Sequence, residues 1–151
     1  ARKTCRCSLA QIHKYRSKIS GPILDRIDIH IEVPALSFQT LVSQEPAESS
    51  AAIRERICAC RKTQRARYRA RPYKTNSQMS PRDIKEFAMP DPQGRKLIKM
   101  AMKELRLSAR AYYKILKISR TIADLAGTEQ IQSEHIAEAI QYRSLDRQWW
   151  S

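Results

Sequence analysis

The chain has 151 residues, with 29 Lys+Arg against 15 Asp+Glu, a formal net charge of +14 and a pI near 10.1. That length suffices for one domain with a real core. The positive excess favours polyanionic partners (nucleic acid, nucleotide phosphates or an anionic membrane surface) without choosing among them. No stretch of about 18 apolar residues and no signal-peptide pattern occurs, so a helical membrane span is not predicted and a cytoplasmic location is expected.

In chain order, the sequence opens Ala1-Arg2-Lys3-Thr4-Cys5 without a methionine, and a piece of a longer protein is expected. Ser8 to Ile19 has helical apolar spacing, with Ser8 as cap. Gly21-Pro22 stops it, and a short turn of helix, Ile23 to Arg26, can follow. Ile27, Ile29, Ile31 and Val33 then alternate with Asp28, His30 and Glu32, the period of a strand with one apolar face; Pro34 ends it. No other segment alternates convincingly. A lone strand cannot satisfy its own backbone groups, so its sheet is expected from sequence outside the chain or from a second copy.

Gln44 to Ser50 is a polar connector, after which the pattern is helical throughout. Ser50 can cap a helix from Ala51 to about Arg69, with Ile53, Ile57 and Cys60 on one face. Arg61 to Lys74 is acid-free and basic, and Pro72 to Gln78 reads as a loop. Ser80-Pro81 starts a short helix. Asp91-Pro92 opens the next, which carries Leu97, Ile98, Met102 and Leu105. Ser108 caps a helix from Ala109 to Ala126, with Tyr112, Ile115, Leu116, Ile122 and Leu125 inward and Gly127 as its C′ residue. Ser133-Glu134 opens the last, where Ile136, Ala137, Ile140 and Tyr142 face the core, before the tail SLDRQWWS. The expected class is therefore mostly α: a helix-plus-strand α/β remnant over residues 1–42, then a four- or five-helix bundle over residues 43–151.

Few motifs carry chemistry. The glycines Gly21, Gly94 and Gly127 do not pair at phosphate-loop spacing, so the G-x-x-x-x-G-K-[ST] cradle is absent from this chain. The pairs Cys5/Cys7 and Cys58/Cys60 lack zinc-ligand spacing, and positions two apart on a helix point roughly 200° apart, so no metal site is expected. His13, His30 and His135 stand near no nucleophile and read as surface or half-buried residues. Arg26 sits where a helix gives way to a strand, a rigid place from which to project a guanidinium, or simply to pair with Asp25, Asp28 or Glu32. Arg110 lies in the first turn of its helix, where a cation opposes the dipole unless an anion compensates. The best local candidates for nucleic-acid contact are Arg61, Lys62, Arg65, Arg67, Arg69 and Arg71, with Tyr68 and Tyr73 interleaved for stacking; a solvated helix face is the plainer reading.

The blocks SGPILDRIDIHIEVP, ESSAAIRERI, LSARAYYKILKISRTIADLAG and HIAEAIQYRSLDR closely resemble, in order, the C-terminal part of bacterial magnesium-chelatase-like AAA+ ATPases, the group that includes competence-associated branch-migration helicases. The resemblance implies the end of the nucleotide-binding core over residues 1–42 and a helical lid over 43–151. It implies that Arg26 is an arginine finger reaching a neighbouring subunit's γ-phosphate, and that Arg110 is the sensor-2 arginine, acting in cis or in trans. It implies ATP and Mg²⁺ as cofactors of the full protein, a hexameric ring, and DNA as the substrate of the motor, with no membrane partner. The family's phosphate loop, acidic magnesium motif and sensor-1 residue are missing from this chain, so the chain alone is expected to bind no cofactor and to be inactive. A second cysteine pair upstream of Cys5/Cys7 would be needed for any metal site of the full protein. The rival readings are a stand-alone basic DNA-binding module and a metal-chelatase subunit.

Overall fold

The computed structural model describes residues 6–38, 42 and 47–143. Cys5, residues 44–46 of the predicted connector, and the tail after Arg143 lie outside the described residues.

Helix α1 (Leu9–Arg16) begins at the predicted cap. Ser8 Oγ accepts from the Gln11 N–H at 3.3 Å while Gln11 Oε1 accepts from the Ser8 N–H at 2.8 Å, a reciprocal capping box. A single turn, α2 (Gly21–Leu24), follows. Helix α3 (Ser50–Arg67) is capped by Ser49, one residue earlier than the sequence reading. A 3-10 turn at Asn76–Gln78 leads to α4 (Pro81–Phe87), α5 (Pro92–Glu104), α6 (Ala109–Leu125) and α7 (Ser133–Gln141). Ser80, Asp91 and Ser108 cap α4, α5 and α6 as their side chains predict.

Helix α6 is the axis of the bundle: α3, α4 and α7 pack on it, and α5 packs on α7. The core between them is built from Tyr68, Met79, Ile84, Ile98, Ile115, Leu116, Ile131 and Ile136. Two glycines serve this packing. Gly94 lets α5 lie close to α7, for a Cβ there would stand 2.8 Å from Asp91 Oδ1, 2.9 Å from Pro90 Cβ and 3.3 Å from Ile136 Cγ1. Gly127, with φ of 71°, ends α6 as predicted, and the Thr128 N–H reaches back to the Ala123 carbonyl at 2.9 Å. The corresponding slot after α5 is filled by Arg106, with φ of 48°.

Two expectations are corrected. Residues 27–33 form no strand: among the described residues no second strand runs beside them, and the alternating Ile27, Ile29, Ile31 and Val33 are exposed. Leu125, expected inward, is exposed near the end of α6. On α3 only the C-terminal part enters the bundle, through Cys60, Gln64 and Tyr68; Ile53 and Ile57 continue that face outward and are exposed.

The core also holds an ionic network. Asp124 on α6 accepts two hydrogen bonds from Arg67, one of 2.7 Å to Oδ2 and a shorter one to Oδ1. It also accepts from Arg120 Nε at 3.0 Å and Asn76 Nδ2 at 2.8 Å. The remaining Arg120 donors go to the carbonyls of Thr128 and Glu129, and the Tyr68 hydroxyl donates to Asn76 Oδ1 at 2.7 Å. Burial alone would push the Asp124 carboxyl up, but the hydrogen bonds from Arg67 and Asn76 and the charge of Arg120 outweigh it and hold it below the ordinary carboxylate value.

Candidate functional site

The N-terminus of α6 organises the site. The Ser108 hydroxyl accepts from the Ala111 N–H at 3.1 Å, capping the helix, and donates to Asp25 Oδ1 at 2.8 Å. Asp25 therefore brings a carboxylate to the positive end of the helix dipole. Its other oxygen lies 3.6 Å from Arg110 Nη1, which supplies the compensating anion that a first-turn arginine requires.

Further contacts clip the Asp25–His30 segment to the bundle. Lys114, one turn on from Arg110, donates to the Arg26 carbonyl and lies 2.6 Å from Asp28 Oδ1. Arg143, buried after the end of α7, donates to the Ile27 carbonyl at 2.8 Å and approaches Asp25 Oδ1 at 3.9 Å. The His30 N–H donates to the Tyr142 carbonyl at 2.8 Å. A residue near the start of the bundle's main helix and one after its last helix thus hold the same short stretch of main chain.

Between this stretch, α6 and the end of α7 runs a groove of about 820 Å³. Arg26, Arg110, Lys114 and Lys117 line it, as do Ile29, Ile31, Ile118, Ile122 and Leu125. The α6 cations precede the α6 apolar residues in sequence, so the groove is basic toward the helix N-terminus and apolar toward its C-terminus. Burial lowers the Lys117 ammonium below the ordinary lysine value, against the pull of Asp28.

The two arginines singled out from sequence share this groove. Arg26 is exposed, and among the described residues its guanidinium makes no ion pair; the acids on either side of it are engaged elsewhere, Asp25 by Arg110 and Asp28 by Lys114. Arg110 is about half exposed, and its partner is itself a carboxylate that an anionic ligand can replace. The arrangement can receive phosphate oxygens at its basic end.

The six basic residues at the end of α3 divide. Lys62, Arg65 and Arg69 are exposed, and Arg61 is exposed while donating to Gln64 Oε1 at 3.1 Å. Arg67 is taken up by Asp124, and Arg71 by Asp83 at 3.1 Å and Glu86 at 2.8 Å. Tyr68 is fully buried among Tyr73 and Phe87, so it offers no face for a base. Of the histidines, His13 is exposed, whereas His30 and His135 are buried, and His135 Nδ1 accepts from the Gln132 N–H at 3.0 Å to cap α7. Cys58 is exposed and Cys60 buried, as expected of positions two apart on one helix. Sequence reasoning missed Lys114, Arg143 and Asp124, and it offered Asp25 to Arg26 rather than to Ser108 and Arg110. The Arg120/Asp124 spacing of four was a visible signal; nothing local marks Arg143 as the anchor for residue 27.

Comparison with known proteins bears on the same two regions. A family model described as magnesium chelatase, subunit ChlI C-terminal, matches residues 47–143, and one described as magnesium chelatase, subunit ChlI, matches residues 1–41. The chain belongs to the magnesium-chelatase-like AAA+ family. Among curated members of that family, competence protein ComM of Haemophilus influenzae is 39% identical over 143 residues, covering 94% of this chain and 27% of ComM. The uncharacterised proteins YifB of Salmonella typhimurium and of Escherichia coli are each 34% identical, with 94% of this chain and 28% of YifB covered. The chain thus spans just over a quarter of the length of these magnesium-chelatase-like relatives. Among the described residues, no helix is long and apolar enough to cross a membrane.

Proposed function

We propose that this chain carries the arginine side of a nucleotide-hydrolysing interface in an AAA+ ring. The observation that supports it is the shared groove, where among the described residues the Arg26 guanidinium makes no ion pair and Arg110 is paired with a replaceable carboxylate. The basic end of the groove suits the distal phosphate end of ATP. Bound ATP with Mg²⁺ supplies the scissile phosphoanhydride; the glycine cradle for its phosphates comes from sequence other than this chain. Arg26 donates N–H groups to the γ-phosphate oxygens, where charge accumulates as the bond to ADP breaks and water adds to phosphorus. Arg110 contacts the same phosphate and gives up Asp25 as it does so. That both arginines line one groove of one chain supports a single nucleotide for both. If Arg26 acts on a neighbour's ATP, so does Arg110.

In the full-length protein, Arg26→Ala is expected to lower ATP hydrolysis by about 10³-fold or more while leaving nucleotide binding intact. Phosphate release and fluorescent-nucleotide titration measure the two separately. Wild-type turnover by an assembled Arg26→Ala ring overturns the assignment. We further propose that the motor works on DNA, with Arg61, Lys62, Arg65 and Arg69 among its contacts. The exposure of these four at the end of α3 favours that reading. Arg67 and Arg71 are excluded from the contact set, since both are committed to buried acids.

A further inference from the structure

Helix α5 carries Gly94, Ile98 and Ala101 on its buried face. At about 100° per residue, Lys96, Lys99 and Lys103 fall within roughly 60° of one another on the opposite side. All three are exposed, and Met100, 63% exposed, lies among them. From Pro92 through Lys103 there is no acid.

Several cations elsewhere in the chain are matched by acids. Arg56 is paired with Glu48, Arg67 and Arg120 with Asp124, Arg71 with Asp83 and Glu86, Arg110 with Asp25, and Lys114 with Asp28. Among the described residues, none of the three α5 lysines has an acidic partner. Like charges three and four apart on a helix destabilise it, so Lys96–Lys99 and Lys99–Lys103 form a repulsive row that no acid among the described residues compensates. The row is about 10 Å long at 1.5 Å per residue. Phosphates of one DNA strand recur every ~3.4 Å of axis, so three of them fall within its reach.

We infer that the Lys96/Lys99/Lys103 row of α5 is a second contact surface for a nucleic-acid phosphate backbone, separate from the end of α3. It extends the nucleic-acid part of the proposed function and is independent of the roles of Arg26 and Arg110. The row reads charge rather than sequence, since flexible ammonium groups on one helix face are point cations.

The test is salt-dependent binding of a fluorescein-labelled duplex to the 151-residue chain, followed by anisotropy. Neutralising three phosphate contacts lowers the slope of log K against log salt by about 2.7. The Lys96→Gln/Lys99→Gln/Lys103→Gln variant is therefore expected to lose about 40-fold less affinity than the parent chain between about 50 and about 200 mM salt. Its circular-dichroism melt should stay unchanged or rise, because repulsion is removed. An unchanged slope in this variant, alongside a reduced one in Lys62→Gln/Arg65→Gln/Arg69→Gln, overturns the inference and leaves the α3 contacts standing. No duplex binding by the parent chain at low salt overturns both. Lysine-dependent binding to phosphatidylserine vesicles without DNA binding overturns it in favour of a membrane surface.

Discussion

Asp124 is the residue on which most of the buried polar structure converges. It is fully buried and faces two guanidinium groups, Arg67 and Arg120, with Asn76 as the one neutral side-chain donor among the described residues. Replacing it leaves two cations in the core without an anion, the situation in which breaking a buried pair costs about 3–5 kcal/mol. Asp124→Ala is expected to lower stability by that amount, measured by urea unfolding. Arg106 offers the opposite case. Its positive φ is one that L side chains adopt at a cost of about 1–2 kcal/mol. A glycine there returns part of that gain as greater freedom in the unfolded chain, about 0.5–1 kcal/mol. Arg106→Gly should therefore stabilise by about 0.5–1 kcal/mol, seen as a rise in the urea midpoint at constant slope.

Among the elements, the α5–α7 contact is the most exacting, because it depends on the absence of a side chain. In Gly94→Ala the new methyl meets the Asp91 cap, Pro90 and Ile136 together, two of them closer than 3.0 Å. Either α5 moves off α7 or the Asp91 cap opens, and an overpacking cost of about 1–3 kcal/mol is expected in thermal or urea melts. The elements themselves were largely legible in the sequence. Ser8, Ser80, Asp91, Ser108 and Gly127 each announce a helix end through local chemistry, and each sits at that end. What failed was what depends on distant partners. The isoleucine alternation after Arg26 describes a strand's faces, but a ladder needs a second strand, which no local pattern supplies. Tyr68 sits in a run of arginines and so read as a surface ring, yet it continues the Cys60–Gln64 face into the core. The site was legible in its two arginines and not in what holds them, since Asp25, Lys114 and Arg143 act across long separations.

Taken whole, the molecule combines a large positive charge with acids that work hard. The Asp83 carboxyl is held down to about 2, first by the Ser80 hydroxyl, with the Ser80 N–H and Arg71 also lowering it. Asp124 is lowered as well. A carboxyl with a folded pKa below its unfolded value of about 3.9 contributes stability that is complete above that value and is lost as pH falls through the folded pKa. For Asp83 the window runs from about pH 4 down to about 2. Urea midpoints should be flat above about pH 5 and fall steeply below 4, and Asp83→Asn should flatten that fall.

The link from Arg143 to the Ile27 carbonyl spans 116 residues of sequence, and its neighbours Ser108–Asp25 and Lys114–Arg26 span 83 and 88. The helix pairs of the bundle close shorter loops, so they are expected to form first, with the Asp25–His30 stretch docking onto that framework afterwards. What arrives late through a few polar bonds also leaves first. Amide hydrogens such as that of His30 should exchange through a local detachment that leaves the interior of α6 protected. The main chain bearing Arg26 is then expected to detach and reseat faster than the whole fold opens, without melting the body that carries Arg110.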